Sequence, residues 1–244
     1  MFLISENGID PERTAVIDTT CNQVRKYKEL VDDVGRLSRQ LNYPRKALVF
    51  CFCNTDLPSA VGYLASLNEG HAVCLLDALA SDDLKTQMID TYQPDFILET
   101  AREGSEDTTA PTKNIHEKYK RSDIFKTDGA SALGVWRIRN FGDYDIHESL
   151  GVLLSTSGTT GSPKLVRLSK ENVYENAKSI REYLEINNDE RAISSLPFHY
   201  SYGLSILNSH FLAGASIVMT EQTIIYPEFW KIFNENKCSS FAGV

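Results

Sequence analysis

The run Leu153-Leu154-Ser155-Thr156-Ser157-Gly158-Thr159-Thr160-Gly161-Ser162-Pro163-Lys164 is the part of this 244-residue chain whose residue types and spacing most clearly suit chemistry. An apolar, strand-like start passes directly into hydroxyls and glycines and ends on a lysine. Glycines let backbone N–H groups converge on an anion with no Cβ in the way, hydroxyls add neutral donors, and the lysine adds a mobile positive charge. The composition therefore suits an oligophosphate. The nucleoside-triphosphate P-loop is excluded, because it needs glycine directly before its lysine and Ser or Thr directly after, where this chain has Pro163 and Leu165. A hydrolase nucleophile elbow at Ser157 is excluded as well, since Ser155 and Thr159 stand where it requires glycines. The competing reading is a Ser/Thr/Gly surface turn with no special role, against which the ordered length of the run argues.

A second constellation is Leu196-Pro197-Phe198-His199-Tyr200-Ser201-Tyr202-Gly203-Leu204. His199 and Tyr200 fall between a predicted strand and a predicted helix, beside Gly203, where side chains face a cleft at the strand's C-terminal end. His71, His116, His147 and His210 have no partnered spacing and are expected to be structural. Cys21, Cys51, Cys53, Cys74 and Cys238 lack the paired spacing of metal ligands, and Cys51, Cys53 and Cys74 lie in apolar runs as buried thiols. No metal ligand is assigned.

The elements that must position these residues follow from periodicity. Tyr27 to Leu41 is an amphipathic helix, with Tyr27, Leu30, Val31, Val34, Leu37 and Leu41 on one face. Then come strand 47–53, helix 58–67, strand 72–76 ending at Asp77, helix 81–92 stopped before Pro94, and strand 95–99. Residues 100–120 turn polar and predict a surface loop. Residues 132–141, with Trp136-Arg137-Ile138-Arg139, predict an edge strand. Strand 152–154, helix 170–184, strand 192–196, helix 204–212, strand 216–219, helix 227–236 and strand 239–244 complete the series. Alternation of this kind predicts parallel sheets with helices on their faces. The last run, Ser240 to Val244, predicts a buried strand with no polar tail, so the chain is expected to stop inside its second lobe.

Composition removes several classes of function. Lys and Arg number 25 against 33 Asp and Glu, a formal charge of −8 with 42% apolar residues, which disfavours a broad nucleic-acid or anionic-membrane surface. No run approaches the roughly 18 to 20 apolar residues of a membrane span. The start, Met1-Phe2-Leu3-Ile4 before Ser5-Glu6-Asn7, has no signal-peptide pattern, and a cytoplasmic location is the default.

Ser155 through Lys164 resembles, without a gap, the signature of the adenylate-forming superfamily: acyl-CoA synthetases, peptide-synthetase adenylation domains and luciferase. Tyr27-Lys28-Glu29-Leu30, Asn54 and Leu67-Asn68-Glu69-Gly70-His71 resemble that family's first lobe. The Leu196 to Leu204 run is similar to its Pro-Phe-His-His-x-x-Gly segment, followed by Leu212-Ala213-Gly214-Ala215. The resemblance implies an α/β fold: two α/β lobes, mostly parallel sheets flanked by helices. Residues 1–149 would form the first lobe and 150–244 the start of an incomplete second, with the C-terminal domain absent.

The resemblance also implies a two-step reaction, in which a carboxylate attacks the α-phosphate of ATP and a thiol of CoA or a carrier protein then captures the acyl-adenylate. Thr156, Ser157, Gly158, Thr159, Thr160, Gly161 and Lys164 match positions that hold the phosphates, and Mg²⁺ shares their charge. His199, Tyr200 and Gly203 match the substrate cleft. Many relatives carry histidine in the Tyr200 column, glycine at Leu165 and histidine at Lys170, while Asn172 matches. The family's metal-holding acid, ribose-binding Asp and mobile-domain lysine have no counterpart here, so no catalytic residue is assigned and the polypeptide alone is expected to be inactive. An acyl-CoA synthetase type is preferred. The rivals are a self-contained noncatalytic nucleotide- or acyl-binding module, and an amino-acid adenylation domain. The second usually keeps an Asp near Tyr200 and Ser201, and this chain has none between Arg191 and Val244.

Overall fold

Apolar runs flanked by turn residues become strands, and amphipathic runs become the helices that cover them. The computed structural model describes residues 2–4, 8–101, 118–127, 132–139, 144–155 and 164–243. In chain order these form β1 (Thr14–Asp18), β2 (Gln23–Lys26), α1 (Tyr27–Gln40), β3 (Leu48–Cys53), α2 (Leu57–Asn68), β4 (Ala72–Asp77), α3 (Asp82–Tyr92) and β5 (Phe96–Ala101). They continue with β6 (Tyr119–Lys126), β7 (Ala132–Ile138), β8 (Leu150–Ser155), β9 (Leu165–Ser169) and α4 (Lys170–Tyr183). Last are β10 (Arg191–Ser194), α5 (Ser201–Ala213), β11 (Ser216–Met219), α6 (Pro227–Glu235) and β12 (Ser240–Phe241).

The strands make two sheets. One runs β6-β7-β5-β3-β4-β8-β9 and the other β12-β10-β11-β1-β2. The runs β5-β3-β4-β8 and β12-β10-β11-β1 are parallel, while β7, β6, β9 and β2 pair antiparallel, so that three of the four rims are antiparallel and the β12 rim is parallel. Strands from both sides of residue 150 are interleaved: β8 and β9 join the seven-stranded sheet, and β1 and β2 the five-stranded one.

Packing follows the pleat. Along β3, Cys51 and Cys53 face the main core while Phe50 and Phe52 face the opposite layer, as a period of two requires. Helix α2 is apolar nearly all round and is buried along almost its whole length. Its Leu57, Val61, Leu64 and Leu67 share one cluster with Val16, Leu30, Phe198, Phe211 and Met219, so the two sheets are joined through a common core. Each such fully buried side chain stabilises the fold by about 1.5–3 kcal/mol.

Four expectations need correction. β7 is internal, between β5 and β6, because β6 lies outside it as the edge. The polar stretch 100–120 is strand at both ends, in β5 and β6, with residues 102–117 outside those described. Val31 on α1 is exposed rather than on the buried face. The terminal run makes only the two residues of β12, and Phe241 is exposed rather than buried.

Candidate functional site

The hydroxyl- and glycine-rich run is held at its two ends by the β8–β9 hairpin. Ser155 pairs with Leu165 and Leu154 with Val166, so Ser155 and Leu165 lie side by side at one end of the sheet. Ser155 is half-buried and Lys164 exposed. Thr156, Ser157, Gly158, Thr159, Thr160 and Gly161 lie outside the described residues. Because β8 runs parallel to β4, with Leu154 level with Leu75, this end is the one where β4 finishes at Asp77. Sequence reasoning passed over Asp77 as a strand end. It is an exposed carboxylate whose Oδ1 accepts from the Leu79 N–H at 2.8 Å.

The 196–203 turn reaches the same end from the other sheet. The Leu196 carbonyl accepts from Thr55 Oγ1 at 3.4 Å, just beyond the end of β3. Tyr200 N–H donates to the Pro197 carbonyl at 3.1 Å, and Tyr200 is the N-cap residue of α5 with its side chain exposed. Phe198 is buried and anchors the turn in the core. A Cβ on Gly203 would lie 2.3 Å from the Pro197 carbonyl oxygen and 2.6 Å from that of Leu196. Only glycine allows the first turn of α5 to close on its own approach, so Gly203 shapes the turn.

His199 is half-buried, and its ring packs on Tyr200 with centroids 4.7 Å apart. Its Nδ1 is buried with no hydrogen-bond partner among the described residues. Burial pushes the imidazole pKa down and nearby Asp77 pulls it partly back. The ring is therefore neutral near pH 7, able to accept or donate one hydrogen bond. At the end of β10, Ser194 Oγ is likewise buried without a partner among the described residues.

The two sheets are clamped at this end by carboxylates that sequence reasoning missed. Asp18, at the end of β1, is fully buried and its Oδ2 accepts from the Leu57 N–H at 2.7 Å. Its Oδ1 accepts from Thr20 N–H and Oγ1. Asp56 caps α2, accepting from the Ser59 N–H at 2.9 Å. Burial, with the Asp18 charge adding to it, pushes the Asp56 carboxyl up to about 6 against the hydrogen bonds from Ser59. An Asp one residue ahead of Leu57-Pro58 is an N-cap signal the sequence did offer. The Asp18 contact crosses 39 positions and leaves no local trace.

Lys170 is not part of the site. Its ammonium donates to the Leu67 carbonyl in the last turn of α2, where positive charge is favoured. Its backbone also crowds Gly151, where a Cβ would lie 2.9 Å from Lys170 N. Burial lowers its pKa. His71 is structural, its Nδ1 accepting from the Ala47 N–H and its Nε2 lying 2.9 Å from the Leu41 carbonyl. His210 Nδ1 contacts Ile206 O within α5, and His147 Nδ1 accepts from the Ser149 N–H. His116 lies outside the described residues. Among the described residues no three His, Cys, Asp or Glu side chains converge as a metal-holding group.

Two largely parallel α/β sheets, with the Ser155–Leu165 strand pair and the Pro197-Phe198-His199 turn at strand C-termini, agree with the adenylate-forming class of fold. Comparison agrees: the profile of AMP-binding enzymes matches residues 7–244, and the chain belongs to that family. It is 21% identical over 228 residues to a D-alanine–D-alanyl carrier protein ligase of Staphylococcus aureus strain MRSA252, covering 93% of this chain and 43% of that protein. Among solved structures it is similar to MatB from Rhodopseudomonas palustris, with a TM-score of 0.72, 20% identity, and coverage of 99% of this chain and 48% of MatB. It is also similar to O-succinylbenzoate coenzyme A synthetase from Bacillus subtilis, solved with ATP and a magnesium ion, with a TM-score of 0.68, 19% identity, and coverage of 95% and 60%. The chain thus spans about half the length of these relatives. No helix among the described residues is long and apolar enough to cross a membrane.

Proposed function

We propose that this chain is the N-terminal, phosphate-holding part of an ATP-dependent acid-activating ligase of acyl-CoA synthetase type. In the reaction a carboxylate oxygen attacks the α-phosphorus of ATP, and the bond to the bridging oxygen breaks, so that pyrophosphate leaves with its electron pair. The thiolate of CoA or of a carrier protein then attacks the acyl carbon and AMP departs. Thr156 to Gly161 and Lys164 take the departing phosphates, and His199 and Tyr200 line the acid's side of the cleft. Bound Mg²⁺ would offset phosphate charge. Preorganised donors at the leaving group supply most where charge builds in the transition state.

The observation that supports this reading is the Ser155–Leu165 pair, the two described ends of the run, which lies at the end of the sheet near which His199 and Asp77 interact. The absence of Asp from 191–244 supports a plain acid over an α-amino acid. Buried, unbridged thiols at Cys51, Cys53 and Cys74 suit a cytoplasmic location. Thr159→Ala with Thr160→Ala is expected to weaken ATP or pyrophosphate binding about tenfold, since each neutral hydrogen bond contributes about 0.5–1.5 kcal/mol. Isothermal titration checks it, and unchanged affinity would reject the assignment.

A further inference from the structure

Charge on β6, β7 and their flanks is nearly all positive. The described residues there hold Lys118, Lys120, Arg121, Lys126, Arg137 and Arg139 against one acid, Asp123, in a chain whose net charge is −8. Lys120 is the register partner of Arg137, which is in turn the partner of Phe96. Phe96, Arg137 and Lys120 therefore form one row on one face of the sheet, at the end where β5 begins. Like charges placed directly opposite destabilise a sheet, their Cβ atoms being only about 4.5–5.5 Å apart.

Neither Lys120 nor Arg137 makes a hydrogen bond or ion pair among the described residues. The acids of this region are engaged elsewhere. Asp90 pairs with Lys118 at 2.7 Å, and the oxygens of Asp95 are filled by Tyr43, Arg45, Tyr144 and the Leu48 N–H. Asp123, level with Val135 further along the same face, accepts from the Ile124 N–H through Oδ1. Arg137 is half-buried and is held by stacking: its guanidinium lies 4.9 Å from the Tyr43 ring centroid and 5.7 Å from that of Phe96. Arg45 lies over the same Tyr43 ring at 5.7 Å, but its charge is spent on Asp95. Stacking fixes the plane of the Arg137 fork and leaves its N–H groups unspent.

We propose that Arg137 and Lys120 bind the terminal phosphate of a small phosphate monoester, at the end of the seven-stranded sheet opposite to that where β8 finishes. The Arg137 fork takes two phosphate oxygens and the exposed Lys120 ammonium takes the third. A dianion offsets both cations at once. A carboxylate carries one charge and two oxygens, which the fork alone uses up, so it leaves Lys120 without a partner. The site stands apart from the ligase reading and survives its failure, because none of its residues belongs to the 156–164 run or the 196–203 turn.

Calorimetric titration of the 244-residue protein with inorganic phosphate at low ionic strength tests it. Saturable binding is expected, weakened at least about tenfold by Arg137→Gln, which removes charge-assisted hydrogen bonds. Lys120→Gln, at an exposed position, is expected to weaken it about threefold, and Asp123→Asn to strengthen it about twofold. Lys126→Gln, at the other end of β6, is expected to change it less than about twofold. Lys120→Glu puts an anion beside Arg137 within the protein itself. It is expected to abolish the binding and to raise Tm by about 1–3 °C. No saturable binding, an isotherm that Arg137→Gln leaves unchanged, or a fall in Tm on Lys120→Glu would each overturn the proposal. Acetate that competes as well as phosphate overturns it by making the ligand a carboxylate. Phenyl phosphate and a phosphoserine peptide separate the two sources of such a group: equal affinity supports a small molecule, and a peptide more than about tenfold tighter overturns it in favour of a protein partner.

Discussion

The two ends of the seven-stranded sheet treat their buried polar groups in opposite ways. At the end where β3 and β5 begin, Asp95 is fully buried and all its acceptor capacity is used. Oδ1 takes Tyr43 Oη at 3.0 Å and Arg45 Nη2 at 2.9 Å, and Oδ2 takes the Leu48 N–H at 2.9 Å and Tyr144 Oη at 2.8 Å. His71 nearby has a partner at each nitrogen. At the end where β4 and β8 finish, His199 Nδ1 is buried without a partner among the described residues, as is Ser194 Oγ at the end of β10 in the other sheet, and Asp56 is buried beside a second carboxylate. A saturated network specifies a fold, whereas polar atoms kept unpaired at strand C-termini are available to a ligand. One end is saturated with hydrogen bonds, and the other keeps polar atoms unpaired among the described residues.

Substitutions that treat the two ends alike would break this contrast. The largest effect is expected from Asp95→Ala, which strands two tyrosine hydroxyls, a guanidinium and a backbone N–H: about 3–5 kcal/mol of stability lost. Calorimetry checks it through a fall in Tm of about 2–4 °C per kcal/mol. A fall within error would show that the network contributes nothing.

Asp56 should respond in the opposite sense. Its folded pKa, near 6, lies above the ordinary carboxylate value, so its contribution is fully present below that ordinary value and is lost as pH rises through about 6. At roughly 1.4 kcal/mol per unit the loss is about 3 kcal/mol by neutral pH. Asp56→Asn keeps a capping oxygen without the charge. Its Tm relative to the parent protein is expected to rise between about pH 4.5 and about pH 7.5. A difference independent of pH would remove the buried-charge account.

Much of this architecture was legible in the chain because β3, α2, β4, α4 and β11 carry unbroken apolar runs or a clean helical period. The strands that escaped were β1, β2, β6 and β9, which are short or face solvent on one side. Of β6, Tyr119 and Lys120 fell in the expected loop 100–120 and residues 121–126 were given no element, because only the pairing with β7 makes this charged run a strand. Missing β6 is also why β7 was expected at the edge. The proposed site residues of the 196–203 turn and Lys164 were singled out by residue type and spacing, and the structure puts the turn and the described end of the run at strand C-termini. Asp18, Ser194 and Asp77 were not, because each matters only once distant strand ends meet. Nor could the sequence show the partner of Lys170, the Leu67 carbonyl 103 positions away.

The central claim is that nucleotide engages the end of the sheet at which β8 finishes. Hydrogen–deuterium exchange of the 244-residue protein, with and without saturating ATP and Mg²⁺, tests it most directly. Protection is predicted in peptides spanning 153–166 and 196–204, with none around Tyr43 to Leu48 or Asp95. Protection at the Asp95 end, or none at 153–166 while ATP is bound, would contradict it.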